Sequence, residues 1–144
     1  SSKWAMPAIV LASVWKDMGY FGLMLMSGLQ GINQEYYDAA AIDGAGKIKQ
    51  FTRITLPLLT PTLFFVLIIS LINSFQLFTQ IMIMTPDGGP LGSTMVMVER
   101  IYKCGFRYYE MGTAAAYSWI LFAILLLLTM VQMKLQNKWV NYDD

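Results

Sequence analysis

Charged residues fall along this chain in clusters, and long apolar runs lie between the clusters. No residue from Ile54 to Pro86 is charged, and Leu63-Phe64-Phe65-Val66-Leu67-Ile68-Ile69 continues through Phe75 and Phe78 to Met84. Crossing a hydrocarbon core takes roughly 20 apolar helical residues, so this window predicts a transmembrane helix over about 61–84. Thr60 reads as its N-cap and Pro61 as its first helical residue, where the missing N–H is no loss. A second uncharged window, Met111 to Met133, predicts a span over about 112–134, with Lys134, Lys138 and Trp139 as interface anchors. The stretch from Trp4 to Leu29 predicts a span over about 5–30, although Lys16-Asp17 beside Gly19 interrupts it. Either one helix turns both charges toward protein or water, or two pieces meet at an interfacial turn. One helix is preferred, because adjacent opposite charges can neutralise each other.

The connections differ in character. Thr85-Pro86-Asp87-Gly88-Gly89-Pro90 is a dense run of turn residues, so the chain leaves the membrane into a loop over 85–111. A short surface helix is expected there, capped by Ser93 or Thr94. Met95, Val98 and Ile101 or Tyr102 would lie on one face, Arg100 and Lys103 in its last turn, and Gly105 at its end. The loop over 31–60 reads as helix, turn, helix. Glu35 and Asp38 suit a helix start, Ala39-Ala40-Ala41 is slim and strongly helix-forming, Gly44 and Gly46 break the helix, and Ile48, Phe51 and Ile54 lead back toward the membrane.

Composition narrows the class. The 144 residues are 56% hydrophobic and 13% charged, which is too apolar for an ordinary soluble domain. The net charge of +1 argues against nucleic acid as a partner. Histidine is absent and Cys104 is the single cysteine, which excludes a Cys/His metal site, a His-based triad and an internal disulfide. Cys104 reads as a small apolar packer, and the eleven methionines as filler rather than soft-metal ligands. Gly46-Lys47 is not a phosphate loop, because that motif needs glycine at Ala41 and Ser or Thr at Ile48. The sequence shows no signal peptide and opens without an initiator Met, so a fragment of a larger protein is expected.

Asp38-Ala39-Ala40, then Gly44, then Ile54, Leu56 and Pro57 resemble the EAA loop of ABC importer permeases, a Glu-Ala-Ala start with a spaced Gly and an Ile-x-Leu-Pro end. Leu29-Gln30-Gly31-Ile32, Asp43-Gly44-Ala45-Gly46, Thr55-Leu56-Pro57-Leu58-Leu59-Thr60-Pro61-Thr62, Gly88-Gly89-Pro90 and Gly112-Thr113-Ala114-Ala115-Ala116 are similar to the maltose-type carbohydrate permeases. The resemblance runs from about Trp15 to Lys134, with two departures: Asp38 stands where Glu is usual, and Pro86-Asp87 lengthens the turn before Gly88. It implies an all-α, polytopic membrane fold, part of a permease core, with a cytoplasmic helix-turn-helix coupling loop. Glu35, Asp38, Ala39, Ala40, Gly44, Leu56 and Pro57 would dock an ATP-binding subunit, which handles ATP and Mg while this chain holds no cofactor. Charge alone does not set the orientation. The resemblance puts Ser1 outside, Gly31 to Thr60 inside, Thr85 to Glu110 outside and the tail inside a bacterial cell membrane. Further implied partners are a second permease subunit, an extracellular solute-binding protein, membrane lipid and a sugar.

Polar side chains within a span point to a translocation route, since lipid cannot satisfy them. Asn73, Gln76, Gln80, Tyr117 and Ser118 are the expected substrate-path residues, with Gln76 foremost, alongside Ser74, Thr79 and Trp119. Gly112 and Ala116 read as a small-xxx-small helix crossing. Three alternatives stay open from residues alone: a permease for a non-sugar solute, an ion-gradient-driven transporter, and an intramembrane enzyme, the last disfavoured by two charge-free spans and the absence of His.

Overall fold

The computed structural model describes residues 2–139, with side chains over 3–136. The side chains of Lys138 and Trp139, and Ser1 with its expected outside placement, lie outside the described residues. Every regular element described is helical. Helix α1 spans Ser2–Gln30, α2 Gln34–Ile42, α3 Lys47–Gln50, α4 Leu56–Phe75, α5 Thr79–Met84, α6 Met97–Tyr102 and α7 Met111–Trp139. Among the described residues, three helical stretches are long and apolar enough to cross a membrane: Lys3–Gln30, Lys47–Phe75 and Met111–Gln136. Large apolar side chains such as Leu11, Trp15, Leu23, Phe65 and Leu127 stay exposed on these helices, as expected where lipid replaces water as the solvent. Contacts divide the chain into two units, Ser1–Asp17 with Ser70–Met130, and Met18–Ile69 with Val131–Asp144.

Helix α1 is continuous through Gly19, and Lys16 Nζ lies 3.2 Å from Asp17 Oδ1. Within the second unit α1 meets α4 at Gly28, where an added Cβ would fall 2.6 Å from Thr62 Oγ1 and 2.9 Å from Leu59 Cδ1. Glycine is what lets the Thr62 and Leu59 side chains press so closely against the α1 backbone there.

The middle span differs from its sequence expectation at both ends. Its helix begins upstream at Lys47 rather than near 61, running through α3 and a π-helical turn, Phe51–Thr55, into α4. Thr60 is therefore no cap, and Pro61 sits inside the helix. Proline cannot donate to the carbonyl four residues back, and the Thr60 hydroxyl donates to that Pro57 carbonyl instead, at 2.6 Å. The π turn deals with the other proline: Leu56 N–H reaches back five residues to Phe51 O, immediately before Pro57, which has no N–H. At the far end the helix stops at Phe75 rather than continuing to 84, and α5 resumes at Thr79. Near this break the Ser74 hydroxyl donates to Ser70 O at 2.7 Å, a local bond that competes with and bends a helix.

The 85–110 connection also differs. Helix α6 starts at Met97 behind Val96, without a side-chain cap. Thr94 is fully buried, and its hydroxyl bonds Thr85 Oγ1 at 2.9 Å, so it is not free to cap. Gly105 does not end a helix but lies within a π-helical turn, Lys103–Arg107, where an added Cβ would sit 3.5 Å from Ala114 Cβ. The buried contact therefore forms at Ala114, while an added Cβ at Gly112 would have no described atom within 4 Å. Cys104 is buried in the same turn.

Candidate functional site

Two places gather the residues that the sequence singles out. The first is the hairpin over 31–55. Asn33 caps α2, its side chain accepting from Glu35 N–H at 3.1 Å, a cap of the type Asn supplies best. The expected acidic start is therefore led by an Asn that went unread, although its residue type was the available signal. Asp43 closes α2, and Gly44 turns the chain with φ +73, a left-handed conformation that glycine adopts without cost. Gly46 has an ordinary φ of −67 and starts α3, so only one of the two expected breakers is conformationally required. Gln50 Nε2 donates to Ala45 O at 3.1 Å and braces the turn.

None of the residues of α2 or α3 is buried. Glu35, Asp38, Ala39 and Gly44 are exposed and Ala40 is half-buried, with Asp38 Oδ1 accepting from Gln34 Nε2 at 3.3 Å. Ile42, the last residue of α2, and Ile48, in α3, are 87% and 82% exposed. One long-range side-chain bond ties the hairpin together: Tyr37 OH and Thr55 Oγ1 lie 2.9 Å apart. It fixes α2 to the π turn just before Leu56 and Pro57, so all seven expected docking residues belong to one local structure.

The second place is the helix break at 76–78. Asn73, Gln76 and Gln80 line a cavity of about 250 Å³ together with Leu77, Thr79, Lys16 and Asp17. Neither Tyr117 nor Ser118 lines it; the Ser118 hydroxyl donates to Ala114 O at 2.9 Å within its own helix. Ser118 instead borders an apolar surface groove with Ala115, Trp119 and Phe122. Phe78 turns away from the cavity's polar lining to pack against Tyr102, ring centroids 5.1 Å apart. Lys16 and Asp17 were readable only as charges in need of a partner, and the cavity is where they find polar company.

The 85–110 connection holds a further cluster of charge. Lys103 Nζ lies 2.8 Å from Glu99 Oε1 and 3.9 Å from Asp87 Oδ1, and Arg107 Nη1 donates to Asp87. The hydrogen bond that Arg107 donates to Asp87, then the charge of that carboxylate, pushes the Arg107 guanidinium above its ordinary pKa.

Residues 1–142 match the family model of the binding-protein-dependent transport system inner membrane component. The chain is 36% identical over 141 residues to the probable ABC transporter permease protein YesP of Bacillus subtilis (strain 168), covering 97% of this chain and 45% of that protein. It is 37% identical over 139 residues to the sn-glycerol-3-phosphate transport system permease protein UgpA of Pectobacterium atrosepticum and to that of Shigella flexneri, covering 96% of this chain and 47% of each. The chain spans about half the length of these curated relatives.

Proposed function

This chain belongs to the family of binding-protein-dependent transport system inner membrane components, and from that premise we propose that it forms part of a permease subunit importing a sugar or related polyol. The importer is an ABC transporter of the bacterial cytoplasmic membrane. A separate ATP-binding subunit hydrolyses ATP with Mg, a second permease completes the pathway, and an extracellular solute-binding protein delivers the cargo. The 31–60 hairpin faces the cytoplasm and the 85–110 connection faces outward. Of these relatives' printed names, one gives an ABC permease without naming its cargo and the other specifies sn-glycerol-3-phosphate, a phosphorylated polyol; the sugar assignment rests on the sequence resemblance to the maltose-type permeases.

The observation that carries this reading is a hairpin with no buried residue in α2 or α3, yet fixed in shape by Asn33, Gly44, Gln50 and the Tyr37–Thr55 bond. A surface preorganised in this way but unoccupied by its own chain suits docking, because its ordering entropy is already spent before binding. Asp38, Ala39 and Ala40 present the slim face, and Glu35 sits at the helix start. Movement imposed on α2 passes through Tyr37 to Thr55, and through α3 along the continuous helix to Phe75. Asn73 and Gln76, at the end of that helix, then change their surroundings as the ATPase cycles.

The test is ATP-dependent uptake of labelled sugars by the full-length permease assembled with its partner subunits. Gly44→Leu should leave the permease in the membrane at normal amounts and reduce uptake at least tenfold. Unchanged ATP-dependent uptake would sink the docking assignment.

A further inference from the structure

We infer that Lys16 and Asp17 form a charge-balanced, hydroxyl-reading pole of the solute path, and that they select uncharged polyhydroxylated solutes over phosphorylated ones. This rests on the importer reading above. Lys16 lies within an apolar helix long enough to cross a membrane, where a charged group is tolerated only against protein or water, and yet it is 60% exposed in this chain. Successive helical residues project roughly 100° apart, so the Lys16 stem has to curl to bring Nζ within 3.2 Å of Asp17. A hydroxyl inserted between the two groups would keep both satisfied.

The surroundings fit that use. The side chains of Asn73, Gln76 and Gln80 make no hydrogen bond among the described residues, and all three line the cavity that Lys16 and Asp17 line. The lining thus offers three amides, the Thr79 hydroxyl, three ammonium donors and a carboxylate able to accept from two vicinal hydroxyls. At about 250 Å³ the cavity lies just below the range of roughly 300–1,000 Å³ for drug-sized ligand pockets, which suits a solute of monosaccharide or glycerol size. The backbone break at 76–78 borders the same space, and non-helical backbone at membrane depth is tolerated where it lines a watery cavity.

Charge sets the selectivity. Lys16 is the one cation in the lining and Asp17 already balances it. A phosphate group would have to displace Asp17 from Lys16 and then sit beside a carboxylate, a like-charge contact that acts as discrimination against anions.

The experiment is ATP-dependent uptake by the full-length permease in its assembled importer, with labelled glycerol, glucose and sn-glycerol-3-phosphate as probes. Asp17→Asn should lower uptake of the neutral probe that the native importer carries at least tenfold and narrow its advantage over sn-glycerol-3-phosphate, with the amount of assembled complex unchanged. The double variant Lys16→Met with Asp17→Met removes the ion pair without leaving a lone charge, and it should stay defective. Native uptake in the double variant would show that the two charges merely balance each other and would overturn the inference. Preferred uptake of sn-glycerol-3-phosphate by the native importer would overturn it as well, while leaving the importer reading intact. No ATP-dependent uptake of any probe would overturn both.

Discussion

The 31–60 hairpin and the 85–110 connection are both polar interruptions between apolar helices, but they are built on opposite terms. The connection bonds to itself: Thr94 is fully buried, Glu99 is 1% exposed, and Asp87, Glu99, Lys103 and Arg107 answer one another. The hairpin buries nothing on α2 or α3 and holds its shape with caps, a glycine turn and one tyrosine hydroxyl. A loop whose charges pair with one another is held by its own contacts; on the docking reading proposed above, the loop that keeps its shape and leaves its faces bare is the one that meets another subunit.

Substitutions separate the two regions. The largest effect should come from Lys103→Met, which leaves the buried Glu99 carboxylate without its ammonium partner and should cost about 3–5 kcal/mol. Thermal unfolding of the solubilised full-length permease measures it, and adding Glu99→Leu should recover most of the loss. Next are two glycines with nearly equal φ, Gly89 at +68 and Gly44 at +73. A Cβ at Gly89 would also fall 2.6 Å from Thr94 Oγ1, while one at Gly44 would have no described atom within 4 Å. Gly89→Ala should therefore cost about 2–3 kcal/mol and Gly44→Ala about 1–2 kcal/mol by the same unfolding measurement. Asp38→Ala should change stability by less than about 0.5 kcal/mol and nonetheless weaken capture of the ATP-binding subunit in a pull-down. Equal stability losses at Gly44 and Gly89 would erase the distinction between the loops.

The Asp87–Arg107 pair gives the smallest effect. A raised guanidinium pKa contributes stability that is fully present below the unfolded value and is lost only as pH rises through the still higher folded value. Between pH 5 and 9 the unfolding temperature of Arg107→Gln should thus run parallel to that of the native chain, with added salt narrowing the gap between them.

Much of this was legible in the sequence because apolar runs and turn residues are local signals. The three long helices, the Gly44 turn and the slim alanine face all follow from them. The helix break at 76–78 was not legible, since the uncharged window runs through it to Pro86 and hydropathy does not register a local hydroxyl-to-backbone bond such as that of Ser74. The upstream start of the middle helix at Lys47 was masked by the lysines and arginine of its first turns and by Thr60-Pro61, which imitates a helix start. Neither Ser93 nor Thr94, the two expected caps, caps α6, and the bond of Thr94 is not legible because its partner, Thr85, lies across a turn in which Gly88 and Gly89 take positive φ. Of the residues expected to line a substrate path, Asn73, Gln76 and Gln80 share one cavity, whereas Tyr117 and Ser118 do not line it. Intramembrane polarity alone cannot tell a hydroxyl that serves its own helix from one that faces a cavity.

The most direct measurement is a pair of cysteine cross-linking reactions in the assembled full-length importer. One uses Ala39→Cys, exposed on α2, and the other uses Leu91→Cys, at a position 98% exposed in the 85–110 connection. Each is treated with a short bifunctional thiol reagent against cysteines placed around the docking cleft of the ATP-binding subunit. The account predicts a cross-linked product from position 39 and none from position 91. A product from position 91, or none from position 39 at any docking-cleft cysteine, would contradict it.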